Sequence, residues 1–439
     1  MANNSLKKLE ELREELEKCV KCGTCRSVCP VFREVGREPA STRGRITLVS
    51  SYLDGETGLT EAYIRQVKDC TLCGACTSNC PSGVPTPEII AAARADLAAK
   101  EGTSAAASFL LRNLKSPGRL MPLAMKFASR MQSIFLKDNA GETGLLSRFP
   151  LPIPGVGTGR LLPPLARKSF MDTALGKKLR RETKKGDKNG GKTPAKATIA
   201  FYVGCGVNYL MPNIGESTVK ALEKAGARVV LPPGQVCCGM PAWSAGEVDT
   251  AREMAVKNIE EFERYEVDYI VTSCATCGHG LRTKMRDMVS DDPELAERAG
   301  RLASKVRDIS ELLVELGYGT EKSDDNREEG ERSIVTYHDP CHLGRMQGVR
   351  EQPRDLVKAN PALELREMSH PCRCCGFGGG LSLSDYDLSR EIAREKAESV
   401  RDSGADIVAT GCPGCMVQLR DCLNDLGVDA EVKHVVELL

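Results

Sequence analysis

Leucines at positions 6, 9, 12 and 16 recur at near-helical spacing in a charged stretch, which predicts an amphipathic helix leading into Cys19. Ile46, Leu48, Val49, Tyr52 and Leu53, then Ile64 and Val67, continue a helical pattern, and a further helix is expected to start near Pro87 and run to residue 100. Residues 109–136 read as one or two helices broken at Pro117. The Pro- and Gly-rich run 149–165 cannot sustain regular structure, and the basic run 177–192 reads as an exposed, solvated linker. Short apolar runs alternating with amphipathic helices follow. Strands are expected over 197–204, 228–232 and 268–273, with helices over 214–224 and 247–265. The order then returns, with strands over 333–340 and 406–411 and a helix over 388–400. The expected fold is therefore α+β: a helical domain over 1–100, a helical segment and linker over 101–195, and two α/β lobes over 196–330 and 331–439.

Cysteine spacing gives this pattern its chemistry. Cys19, Cys22, Cys25 and Cys29 follow C-x2-C-x2-C-x3-C-P, and Cys70, Cys73, Cys76 and Cys80 repeat it. This is the bacterial ferredoxin run, in which the fourth cysteine ligates the other cluster. It assigns Cys19, Cys22, Cys25 and Cys80 to one cubane [4Fe-4S] cluster, and Cys70, Cys73, Cys76 and Cys29 to a second. Gly23 and Gly74 would let the backbone wrap close to the sulfides. A pair of zinc sites explains a run ending twice in Cys-Pro poorly.

A second pattern also occurs twice. Cys205, Cys237-Cys238-Gly239 and Cys274-x-x-Cys277 are followed by Cys341, Cys374-Cys375-Gly376 and Cys412-x-x-Cys415, at offsets of 136 to 138 positions. Offsets so even across a whole unit indicate a duplicated lobe. Each group stands where a predicted strand ends, so five thiolates per lobe would converge at the strand tips, where open α/β sheets bind ligands. The sulfur-only set suits iron–sulfur chemistry; a vicinal disulfide, zinc or buried free cysteine are the alternatives, weakened by the repetition. His338 and His342 flank Cys341 and are candidates for tuning a metal centre or moving protons, or for plain structural hydrogen bonding. Cys372 and Cys422 fall outside the pattern and read as spare thiols. The glycines of residues 376–380 suit close backbone approach to a cluster better than phosphate binding.

Bulk properties narrow the classes. A net charge of +1 and 4% aromatic residues give no reason to expect nucleic-acid binding. No apolar run spans a bilayer, and the charged first residues do not resemble a signal peptide. A cytoplasmic protein is expected, with any membrane association made through partners. No G-x-G-x-x-G follows a predicted strand, so a flavin or nicotinamide would have to belong to a partner.

These motifs carry a resemblance. The order Cys, Cys-Cys-Gly, Cys-x-x-Cys resembles the CCG domain of heterodisulfide reductases. With the twin ferredoxin run, nearly the whole chain is similar to the heterodisulfide reductase D-type subunit and to the iron–sulfur subunit of glycolate oxidase and related lactate-utilisation proteins. Gly44-Arg45-Ile46, residues 70–84 and the tail 432–439 look like the glycolate oxidase type. The complete second cysteine set and the His-Asp-Pro-Cys-His around Cys341 look more like the disulfide-reductase branch. That resemblance implies a non-cubane [4Fe-4S] cluster on Cys205, Cys237, Cys238, Cys274 and Cys277, and another on Cys341, Cys374, Cys375, Cys412 and Cys415. It implies an electron-transfer subunit taking electrons from an FAD-containing 2-hydroxy acid dehydrogenase and passing them to a quinone or other carrier. The alternative is a disulfide reductase acting through Cys237, Cys238, Cys374 and Cys375.

Overall fold

The computed structural model describes residues 9–103, 105–115, 127–132, 136–138, 145–147, 160–185, 195–319 and 332–439. The N-terminal domain is helical, as its pattern predicts. A 3-10 turn Leu9–Leu12 and a short helix Arg13–Glu17 precede the first cysteine run. Helices Thr42–Leu53 and Glu61–Lys68 fill the spacer between the runs, and Thr86–Glu101 closes the domain. Ser41 and Thr60 cap the two spacer helices by accepting from the amides of Gly44 and Tyr63. The predicted stripe is the buried face: Leu9, Leu12, Leu16, Ile46, Val49, Val67, Ile89 and Ile90 share one core.

The segment 101–195 departs from its expectation in part. Helix Ala105–Lys115 stops before Pro117, residues 127–132 are helical, and residues 116–126 and 186–194 lie outside the described residues. Three short antiparallel strands, β1 (Leu136–Asp138), β2 (Leu145–Ser147) and β3 (Leu161–Leu162), form a small sheet in and around the Pro/Gly-rich run. Residues 174–185, half of the expected linker, are instead the helix Ala174–Lys185. Leu175 and Leu179, one turn apart, give that basic helix an apolar edge, and Phe170 just before it is fully buried in the same core. Charge density hid a two-residue stripe that is enough to dock a helix.

Each remaining lobe is a four-stranded parallel sheet. In the first, β4 (Thr198–Phe201), β5 (Arg228–Val230), β6 (Tyr269–Thr272) and β7 (Val306–Asp308) lie in the order β5-β4-β6-β7. In the second, β8 (Ser333–His338), β9 (Leu363–Leu365), β10 (Ile407–Thr410) and β11 (Glu431–His434) lie in the order β9-β8-β10-β11. The two orders are the same, so the duplication inferred from cysteine offsets is a duplication of fold. Strand alternation feeds two cores in the first lobe. Ala200 and Ile270 face a core shared with the ferredoxin-type domain, while Ile199, Phe201 and Val271 face one shared with the second lobe. Each fully buried side chain of this size stabilises by about 1.5–3 kcal/mol.

One buried cation fastens the three parts together. Arg94 lies on Thr86–Glu101 and is 4% exposed. Its guanidinium donates to the carbonyls of Val67, Lys68 and Cys70 in its own domain, Ser244 in the first lobe and Gly379 in the second, at 2.6–3.0 Å.

Candidate functional site

The two ferredoxin runs build two adjoining cavities. One is lined by Cys19, Cys22, Cys25 and Cys80, the other by Cys29, Cys70 and Cys73, and Cys76 borders both. Cys80 thus lines a cavity with the first run's Cys19, Cys22 and Cys25, and Cys29 lines one with the second run's Cys70 and Cys73. Both runs use the same backbone device. Lys21 and Leu72, each just before the second cysteine, have φ of 56° and 54°, and Gly23 and Gly74, just after it, are left-handed as well. Two consecutive turns of that kind curl a loop tightly, and non-glycine residues held there mark a strained functional loop. Arg45 is buried and directs a guanidinium nitrogen to within 3.8 Å of the Cys29 sulfur. Burial pushes the Cys76 thiol up to about 12.

In each lobe the five cysteines meet at the strand tips, beside the crevice between the first and third strands. Cys274 and Cys412 are the N-caps of Ala275–His279 and Pro413–Asp425. The CCG glycines Gly239 and Gly376 have φ of 87° and 90°. A Cβ on Gly376 would stand 2.5 Å from the Ser389 carbonyl, so the turn needs glycine on both counts. All twenty cysteines are free thiols in this structure.

The sulfurs form one continuous series. Cys205 contacts Cys237, Cys237 contacts Cys238, and Cys238 contacts Cys277, which contacts Cys274. Cys274 reaches Cys412 across the lobe boundary, and Cys412 reaches Cys415. Cys415 lies 3.4 Å from Cys375, which contacts Cys374, and Cys374 contacts Cys73 of the ferredoxin-type domain. Cys341 is beside Cys374. Contacts between thiols set their acidity. Hydrogen bonds from Cys237 and Cys277 hold Cys238 down to about 6, and Cys374 and Cys415 hold Cys375 well below the usual thiol range. Cys274 does the same to Cys412, whereas Cys73 is pushed well up by Cys374 and by burial.

Histidines gather around the second lobe. His342 donates or accepts at the Thr276 hydroxyl, 3.1 Å away, and stacks on His279 at 4.9 Å between centroids. The Thr276 hydroxyl lies 3.7 Å from the Cys412 sulfur. Burial pushes His338 down to about 3 and His434 to about 4, so both rings are neutral at ordinary pH. Arg354 makes a two-pronged ion pair with Asp339 at 2.9 Å and fixes the loop between His338 and Cys341.

Several residues escaped sequence reasoning. Lys396 is fully buried and donates to the carbonyls of His370 and Pro371, ahead of Cys374-Cys375. Asn258 does the equivalent work in the first lobe, accepting from the Val236 amide and donating to the Cys237 carbonyl, each at 3.0 Å. Both stand at the eleventh position of matching helices, Val248–Phe262 and Tyr386–Ser403. A polar residue in the apolar stripe of each helix was the available signal, as was Arg94 within the alanine-rich run of residues 89–99. Of the residues set aside, Cys422 is buried, and Cys372 is exposed at a cavity of about 290 Å³ that also reaches Cys73 and Cys374. Of the glycines in residues 376–380, Gly376, Gly378 and Gly379 approach another backbone closely: a Cβ on Gly379 would stand 2.4 Å from the Cys70 carbonyl.

The donor set fits iron–sulfur clusters: soft sulfur ligands only, converged, mostly buried, and set at strand tips and helix starts. Comparison with known proteins agrees. Residues 15–84 match the 4Fe-4S dicluster domain family, and residues 199–282 and 335–420 each match the cysteine-rich CCG domain family. The chain is 30% identical over 431 residues to the probable glycolate oxidase iron-sulfur subunit of Bacillus subtilis, covering 97% of this chain and 93% of that one. It is 29% identical to a subunit of the fumarate reductase (CoM/CoB) of Methanothermobacter marburgensis, covering 97% of this chain and 72% of that one. It is 34% identical over 244 residues to lactate utilization protein A 2 of Bacillus mycoides, covering 55% of this chain and 98% of that protein. Among the described residues no helix is long and apolar enough to cross a membrane.

Proposed function

The chain belongs to the glycolate-oxidase-type family of CCG-domain iron–sulfur subunits, and from that premise we propose that it is the electron-transfer subunit of an FAD-linked 2-hydroxy acid dehydrogenase. Two cubane clusters on the ferredoxin-type cysteines and two non-cubane clusters on the CCG cysteines would supply one-electron redox chemistry when bound. The observation that carries this reading is that the CCG cysteines adjoin the ferredoxin-type ones: Cys73 packs with Cys374 and Cys341, and Cys375 lies 3.4 Å from Cys415. Residues of the chain hold those sulfurs in order: Arg45 faces Cys29, Arg94 ties the three parts together, and Lys396 and Asn258 fix the CCG loops. The core shared with the ferredoxin-type domain buries Cys237, Cys238, Cys274 and Cys277, and the core shared with the second lobe buries Cys375, Cys412 and Cys415. The substrate's two-electron oxidation belongs to the flavoprotein partner, and a quinone or another carrier takes the electrons away.

Anaerobically purified protein should contain on the order of sixteen iron atoms per chain. Mixed with a catalytic amount of an FAD-linked glycolate or lactate dehydrogenase and its substrate, its iron–sulfur absorbance should bleach. Stoichiometric zinc with negligible iron, or no bleaching with any such flavoprotein, would defeat the proposal.

A second reading has its own support. The second cysteine set is complete, the two sets touch at Cys274 and Cys412, and the cavity beside Cys73 and Cys374 is open to a small molecule. In this reading the chain itself reduces a disulfide. Reduction of a small disulfide by the wild type and its loss in Cys375→Ala would favour it over the first.

A further inference from the structure

The duplication makes a direct comparison possible at one buried position. Tyr202 and His338 are equivalent, each three residues before the first cysteine of its lobe and one strand position beyond the matched pairs Phe201–Val271 and Tyr337–Ala409. Their side chains behave differently. Tyr202 packs among its cysteines, and its hydroxyl is taken up by donation to the Val236 carbonyl at 2.6 Å. His338 is 1% exposed; its ring lies near the Pro371 carbonyl, but neither nitrogen makes a well-formed hydrogen bond. A buried imidazole left without a well-formed bond is costly unless something else occupies it. A ring nitrogen of His338 and the sulfurs of Cys375 and Cys415 lie within 4.8 Å of one another. The ring is thus aimed at two sulfurs of the second CCG set, and the Arg354–Asp339 ion pair locks the chain that carries it.

We propose that His338 is a further contact of the iron–sulfur centre held by the second-lobe cysteines, with an imidazole nitrogen turned onto that centre. This rests on the reading that Cys341, Cys374, Cys375, Cys412 and Cys415 hold a cluster. The first lobe has no counterpart to this nitrogen, so the two centres are chemically unequal despite matching cysteines. His338 acts here as a positioning and tuning group.

The test is pulsed electron paramagnetic resonance of the anaerobic, full-length holoprotein, with histidine labelled with 14N or 15N. A nitrogen hyperfine coupling should appear, change with the label, and vanish in His338→Gln and in His338→Tyr, which copies the first lobe, at unchanged iron content. If either variant loses iron, His342→Gln and His434→Gln decide: the coupling persists in both if His338 is its source. No histidine coupling in the wild type, a coupling that survives both His338 variants, or its loss in His342→Gln or His434→Gln overturns the proposal. The underlying reading fails separately: Cys375→Ala with full iron and unaltered resonance would show that no cluster sits in the second lobe, and would sink both.

Discussion

The two CCG lobes share strand order, cysteine positions and glycine turns, yet they differ at several equivalent positions near the sulfurs. Tyr202 faces His338, Gly206 faces His342, and Asn258 faces Lys396. At the end of the fourth strand Thr272 pairs with Asp308 and Thr410 with His434, so aspartate and histidine occupy one place. Both are N-caps of a capping box, completed by Glu311 and Glu437. At these four positions the first lobe carries a neutral or acidic residue and the second a histidine or lysine. A duplicated scaffold fixes where sulfur ligands go, and the residues around them set what the centres do. Lys396 adds its charge near Cys375, while Asn258 satisfies the same backbone with none.

Removing a sulfur from either lobe should have the largest effect and tests whether the lobes load independently. Cys238→Ala and Cys375→Ala should each lower the iron content by about four atoms, leaving the other lobe filled. Iron analysis showing that either variant empties both lobes would break the comparison at its root. Arg94→Met should be nearly as damaging to the fold. It leaves five carbonyls without their donor and should cost more than about 3 kcal/mol, read as a lower denaturation midpoint.

Exchanging the polar residue that holds each CCG loop is a milder probe. Lys396→Met strands the carbonyls of His370 and Pro371 and should destabilise by about 2 kcal/mol, while Lys396→Asn, the first-lobe choice, should recover part of that loss. Equal losses in the two variants would mean that asparagine cannot substitute at this site.

The smallest effects are pH-dependent and opposite in sign. Burial raises Asp308 to about 7, so the folded state keeps a proton the unfolded chain releases near pH 4. Stability from this group is full below that pH and is lost as pH rises towards 7, at no more than about 1.4 kcal/mol per pH unit. Burial lowers His434 to about 4, so its contribution is full above the ordinary histidine range and is lost as pH falls through 6 to 4. Asp308→Asn keeps a capping side chain and should flatten the first slope; His434→Asn should flatten the second. Denaturation midpoints between pH 4 and 8 report both, and slopes of the same sign would contradict the assignment.

Much of this architecture is legible in the chain. The strands ending at Cys205, Cys274, Cys341 and Cys412 are apolar runs long enough to recognise, and the 136–138 offsets carry the duplication. That the last cysteine of each ferredoxin run lines the other run's cavity was readable from the position of each Cys-Pro. The strands β7, β9 and β11 were not, because three or four residues with charged members, such as Leu363–Leu365, carry no period of their own. Helix Ala174–Lys185 was hidden by its lysines and arginines. Arg94 and Lys396 look like surface charges in a sequence; only the converging carbonyls of distant segments explain why they are buried. His338 was readable as a candidate, but its difference from Tyr202 needed the strand register.

Central to this account is the claim that two matching cysteine sets hold unequal centres. A redox titration followed by electron paramagnetic resonance measures it directly, with Cys238→Ala isolating the second-lobe centre and Cys375→Ala the first. The second-lobe centre, beside Lys396 and His338, should have the higher reduction potential, and His338→Tyr combined with Lys396→Asn should bring it down towards the first. Two centres with the same potential, or a second-lobe potential unmoved by that double substitution, would contradict it.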